Sequence, residues 1–212
     1  RGDSLMSPVL DALAGGVCFG LFLYKWVIIA AVVLTWVSAD PYNPIVRFIA
    51  RSTRPLWVWC ETWMPVGLAH LSAYASLLVV IFAQALIPAT LRSLGQLFSG
   101  GSGADFLWQL GGHGLQSTAV VCQSLFVFAM LILFVWFFLT LVNPALNNPV
   151  VRVVHVLADP LITPLQHYLP RTRIDLAPIV GLVLFFLMNR FLVSPLSLYG
   201  FEQSLPIRLC LY

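Results

Sequence analysis

The sequence predicts an all-α, polytopic membrane protein with four transmembrane helices, set out as two parallel hairpin repeats that each carry short interfacial amphipathic helices. Three observations lead there. First, 60% of the 212 residues are hydrophobic and 9% are charged, where a soluble domain has about a quarter charged, and the mean hydropathy is +0.92. A soluble domain of this size has no interior large enough for that much apolar surface, so lipid is the solvent for most of the chain. Second, four apolar segments are long enough to cross about 30 Å of hydrocarbon. Third, a 23-residue block from Asn43 to Pro65 recurs without a gap, 105 positions on, from Asn148 to Pro170. Asn43-Pro44, Val46-Arg47, Pro55-Leu56 and Pro65 return as Asn148-Pro149, Val151-Arg152, Pro160-Leu161 and Pro170. Each copy lies between apolar segments, the mark of a duplicated membrane hairpin.

The first repeat covers 1–94, with spans at about 17–37 and 66–89. The first span is interrupted only by Lys25, which sits near one end and can snorkel. Val37-Ser38-Ala39 resembles a signal-cleavage site, but the apolar run is about 20 residues and positive charge follows it, so it is read as a retained span. The second span lies inside an uncharged stretch from Thr62 to Leu91. Both should be helices, because lipid offers no partner to an unpaired backbone group. Residues 95–114 hold seven glycines in 20 positions and are expected to form a flexible linker, with no phosphate-loop spacing. The second repeat covers 115–212, with spans at about 115–142 and 174–193. In the last of these Asp175 and Arg190 bracket 14 uncharged residues, so the charges belong at its ends. An offset of one complete two-helix unit keeps both repeats in the same orientation, unlike the inverted repeats of many transporters.

Arginine placement sets the sidedness. The two duplicated loops hold Arg47, Arg51, Arg54 and Arg152, Arg171, Arg173, whereas the other side has Arg92, just before the glycine-rich segment, and sparsely charged termini. By the positive-inside rule both loops face the cytoplasm of a bacterial plasma (inner) membrane, or the stroma if the membrane is a thylakoid. The termini and the glycine-rich segment, with His113, then face outward.

Each loop opens on a helix start. Asn43 and Asn148 are good N-caps, and Pro44 and Pro149 fall where a missing N–H costs nothing. Arg47, Arg51 and Arg54 lie at i, i+4 and i+7, one stripe, with Ile45, Val46, Phe48 and Ile49 largely opposite. Arg152, His155 and Asp159 form the polar stripe of the second copy. Pro55 and Pro160 are expected to end these short helices, leaving a second short apolar segment before Pro65 and Pro170. Such segments belong in the membrane interface, arginines among anionic headgroups and apolar side chains towards the acyl chains. Trp57, Trp59, Trp63 and Tyr168 suit the headgroup level.

Asp40-Pro41-Tyr42-Asn43-Pro44-Ile45-Val46-Arg47-Phe48, the Asp159-Pro160-Leu161 element, the closing Leu169-Pro170 and Ile174-Asp175-Leu176-Ala177-Pro178-Ile179-Val180 together resemble the YGGT family of small integral membrane proteins. The resemblance covers both halves, roughly 20–90 and 125–193. It implies a hairpin module present twice and a non-enzymatic membrane factor. Family roles run to envelope organisation and division, osmotic or ion homeostasis and, in plastids, assembly of haem-bearing cytochrome b-type complexes. The family's paired-arginine element is replaced here by Val58-Trp59-Cys60-Glu61 and by Leu165-Gln166-His167-Tyr168, and His70 stands where the second copy has Asp175. A role for that pair is therefore weakened or moved to Arg171 and Arg173.

Other chemistries find little support. Cys18, Cys60, Cys122 and Cys210 are scattered, without metal or haem-attachment spacing. Of the four histidines, His70 is the one intramembrane candidate, and it has no evident partner, so no cofactor and no metal are expected. A hydrolase needs a converging nucleophile, base and acid; the acidic Asp40, Glu61, Asp159 and Asp175 sit instead at the inward interface. Gln84 and Gln123 are the main mid-span amides. Nothing marks nucleic-acid binding. The expected function is a scaffold, assembly factor or accessory subunit that contacts anionic lipid and other integral membrane proteins, such as a respiratory or photosynthetic complex. The alternative is an ion- or osmotic-homeostasis factor acting as a pore-forming oligomer.

Overall fold

A computed structural model describes residues 3–36, 39–142, 149–168 and 176–203. It is helical, with no strand among the described residues. The elements are α1 (Asp3–Trp36), α2 (Pro44–Trp63), a 3-10 turn (Val66–Leu71), α3 (Ser72–Phe98), α4 (Gly103–Val142), α5 (Pro149–Tyr168), α6 (Ala177–Met188), a π turn (Asn189–Val193) and α7 (Ser194–Gln203). Four helical stretches are long and apolar enough to cross a membrane: Ser7–Thr35, Ser72–Phe98, Gly103–Val142 and Ala177–Gln203. Phe19, Leu23 and Trp26 on α1, and Leu131, Phe134 and Phe138 on α4, are exposed. In water such surfaces would drive association; for helices of this length they are an ordinary lipid-facing exterior.

The described residues form two compact units, one made of those up to Val121 together with Ser197–Gln203, the other of those within Cys122–Leu196. In the first, α1 and α3 form an antiparallel hairpin. Asp11 and Arg92 approach to 3.9 Å, Gly95 lies against Ser7 and Leu10, and further along Ile28, Val32 and Val80 make a common core. α2 packs on both helices. Tyr24 donates its hydroxyl to the Ser52 carbonyl (3.2 Å), and Ser72 donates to the Glu61 carboxylate (3.2 Å). In the second unit Ile132, Leu133, Ala158, Ile162 and Ala177 form the core that joins α4, α5 and α6.

The repeat is legible in the packing as well as in the sequence. Positions 105 apart play the same part: Ile28 and Leu133 are each fully buried, as are Thr53 and Ala158. Thr35 and Thr140 each return a hydroxyl to the carbonyl three residues back, at 2.6 and 2.7 Å.

Three expectations are corrected. Pro55 and Pro160 do not end their helices; α2 and α5 are each 20 residues long and continue past them, α5 through Pro164 as well. A proline frees the carbonyl four residues earlier. Here those carbonyls belong to the exposed Arg51 and Val156, and Pro55 and Pro160 are themselves exposed, so solvent or headgroups can satisfy the break. The glycine-rich segment is not a linker either. α3 reaches Phe98 and α4 starts at Gly103, leaving only a tight turn in which Gly100 has φ of 107°. Each helical glycine costs about 1 kcal/mol, but apolar surroundings leave the backbone no partner other than its own helix. Ser102 caps the new helix, accepting from the Asp105 N–H at 3.1 Å. Finally, the last span starts at Ala177 and continues through the π turn, which holds Arg190, to Gln203, well past the expected 193.

Candidate functional site

The duplicated loop begins with a local turn. Asp40 accepts from the Tyr42 N–H (2.9 Å), and Asn43 accepts from the Ile45 N–H (2.9 Å) with Pro44 as the first helical residue. That fixes the phase of α2, and its side chains then fall on three faces. Thr53 and Cys60 are buried, and Ile49, Leu56 and Trp57 are half-buried against the hairpin. Burial pushes the Cys60 thiol pKa up. A second face carries Arg47, Arg51 and Arg54, all exposed, and none makes an ion pair among the described residues. On the third, Ile45, Phe48 (68% exposed), Trp59 and Trp63 (77%) stand clear of the rest of the chain. Trp59 and Trp63 rest on each other with ring centroids 6.2 Å apart. A helix with a cationic face beside an exposed aromatic one fits the boundary between headgroups and acyl chains.

α5 is built differently. Pro149 starts the helix and Pro160 lies within it. Val151, Ala158 and Ile162 are buried, while Arg152 and Asp159 are exposed. His155 Nδ1 lies 3.1 Å from Asp159 Oδ1, and the Trp136 ring meets the His155 ring edge-on at 4.3 Å. Asn148, Arg171, Arg173 and Asp175 lie outside the described residues.

Between the end of α1 and α2 the first unit leaves a cleft of about 180 Å³ lined by Ala31, Leu34, Thr35, Ile49, Ala50 and Trp57, among others. The indole N–H of Trp57 is buried with no hydrogen-bond partner. No sequence signal marks this site, since small apolar residues in a span are commonplace by themselves.

His113 was expected on the outer side in a linker; it is instead 1% exposed on α4. Its Nε2 lies 2.7 Å from the hydroxyl of the buried Ser93 on α3. The Ser93 hydroxyl also lies 3.0 Å from the Ala89 carbonyl, which it can donate to. His113 Nδ1 is buried without a partner, while its carbonyl accepts from Ser117 at 2.7 Å. His70 falls in the 3-10 turn. No group of three or more histidine, cysteine, aspartate or glutamate residues converges among the described residues.

A family model described as CCB3/YggT matches residues 10–91 and again 115–196. The uncharacterized protein PA0392 of Pseudomonas aeruginosa is 29% identical over 187 residues, which cover 87% of this chain and 90% of that protein. No solved structure matches the chain.

Proposed function

This chain belongs to the CCB3/YggT family as a tandem pair of its modules, and we propose that it acts as a non-enzymatic scaffold, assembly factor or accessory subunit of a membrane protein complex. It is a multi-pass membrane protein by its four apolar helices. The family is not a known enzyme family. The observation that carries the proposal is the shape of α2: three exposed arginines on one face and Ile45, Phe48, Trp59 and Trp63 on the next are left over after the helix has docked. Side chains of that kind serve a lipid surface or another protein, and the long apolar exteriors of α1 and α4 offer further contact area to integral partners. The bacterial origin of the relative favours the inner membrane, with α2 and α5 on the cytoplasmic side.

The pore-forming alternative needs polar groups at a lumen between copies. Gln84, one of the two mid-span amides, is 3% exposed and so is withdrawn from any such lumen, while Gln123 is exposed.

Gentle solubilisation of native membranes, native electrophoresis and mass spectrometry test the proposal. Wild type should migrate with a stoichiometric foreign partner. The triple change Arg47→Gln, Arg51→Gln, Arg54→Gln should weaken that association without altering topology. A homo-oligomer alone, unaffected by the triple change, would sink the scaffold reading.

A further inference from the structure

The two repeats are internal controls for each other, and they differ at the cleft. Ala31 and Ala50 line it in the first repeat. Their counterparts 105 positions on are Trp136 and His155, whose rings pack on one another at 4.3 Å. Where the first repeat has two alanines beside an open cleft, the second has a packed ring pair. The surroundings diverge in the same sense. Trp57, with its unpartnered N–H, corresponds to the buried Ile162, which has no donor to offer. Arg54 corresponds to Asp159, and Arg51 to Val156. On the surface of α2, Arg47 lies three residues before Ala50 and Arg54 four residues after it, so both flank the same rim.

We propose that the first repeat binds one anionic glycerophospholipid, with an acyl chain in the cleft and the phosphate against Arg47 and Arg54. Charge complementarity selects the headgroup, since the rim is cationic and the exposed arginines have no ion-pair partner among the described residues. The apolar lining selects a hydrocarbon chain, and the buried Trp57 N–H suits the acceptor a chain-linking ester presents where hydrocarbon meets glycerol. At the equivalent positions the second repeat has the Trp136 and His155 rings in place of the two alanines, Ile162 in place of Trp57 and a carboxylate in place of an arginine. The proposal rests on the reading of α2 as an interfacial helix. It needs no protein partner, so its failure and that of the scaffold reading are separable.

The test uses delipidated full-length protein in detergent, titrated with dioleoyl phosphatidylglycerol or dioleoyl phosphatidylcholine and read by native mass spectrometry. One phosphatidylglycerol per chain should be retained, preferred over phosphatidylcholine by roughly fivefold for each arginine engaged. Ala31→Trp with Ala50→His, which installs the second repeat's ring pair, should abolish retention at unchanged helix content. Arg47→Gln with Arg54→Gln should keep a bound lipid but lose the headgroup preference. Absence of retention, equal retention of both lipids, or retention unaffected by the filled cleft would each overturn the proposal. Should the filled variant not fold, phosphatidylglycerol brominated along its chain decides at one lipid per chain. Quenching lost in Trp57→Phe should then exceed that lost in Trp59→Phe, and equal losses would overturn the proposal.

Discussion

His113 Nε2 and the hydroxyl of Ser93 meet at 2.7 Å, a buried contact that pins α4 to α3 across the Ser99–Ser102 turn. Ser93→Ala should leave the buried imidazole nitrogen without its partner, at a cost of about 1–3 kcal/mol. Removing both polar groups, as Ser93→Ala with His113→Phe, should restore much of that loss, because neither partner is then stranded. Thermal unfolding of the three proteins in one detergent checks this. An unchanged midpoint for Ser93→Ala would remove the contact from any account of stability.

Glycines in this chain should respond to alanine with opposite signs. A Cβ on Gly200 would stand 3.0 Å from the Gly112 carbonyl and 3.1 Å from the Gln116 nitrogen, both backbone atoms. Gly200→Ala should therefore destabilise by about 1–3 kcal/mol. At Gly181 the nearest atoms are the Leu133 and Leu165 methyls, at 2.8 and 3.1 Å, which can move, so the loss should be smaller. Gly111 has open space around it, and Gly111→Ala should stabilise by about 0.5–1 kcal/mol. The order of the three unfolding midpoints is the measurement.

Helix caps give a third expectation. Asn43→Ala removes the acceptor for the Ile45 N–H, and Ser102→Ala removes that for Asp105. Each should cost about 1 kcal/mol, and Asn43→Gly only a few tenths. Hydrogen exchange at the first turns of α2 and α4 would report the fraying locally, and unchanged protection there would refute the assignment.

Cys60 supplies a pH dependence. Burial raises its pKa, so the folded protein holds that proton to higher pH than the unfolded chain does. The contribution to stability is unaltered below the ordinary thiol range and is lost as pH rises through that range towards the raised folded value. Maleimide labelling of Cys60 in folded protein should accordingly be slow at neutral pH and accelerate only in alkali. Cys60→Ala should flatten the alkaline fall in stability; an identical fall in that variant would assign it elsewhere.

The membrane class and the duplicated module were legible because both rest on pattern: hydropathy over long windows, and Asn43-Pro44 recurring as Asn148-Pro149 in register. Local chemistry was legible too, as in the Asn43 cap. Pro55, Pro160 and the helical glycines before Gly114 look like breaks in the sequence and are not. Propensity measured in water overstates the glycines, whose apolar surroundings leave a backbone no alternative to its own helix. At the prolines the freed carbonyls belong to the exposed Arg51 and Val156 and can be satisfied from outside. His113 was placed wrongly for the same reason, since a loop was expected where α4 continues. The cleft was beyond reach, because its lining is conspicuous only beside Trp136 and His155, and only once the two packings are known.

Ala31 and Ala50 against Trp136 and His155 also bear on why two modules share one chain. A symmetric dimer of single modules would have to carry the same pair of residues on both sides, two open spaces or two filled ones. Joining the copies covalently releases each from that identity. The frame positions, Ile28 with Leu133 and Thr53 with Ala158, remain equivalent in burial, while the rest can drift apart. Heterogeneity within one polypeptide is what the fusion makes available, and it can be inherited without any second gene.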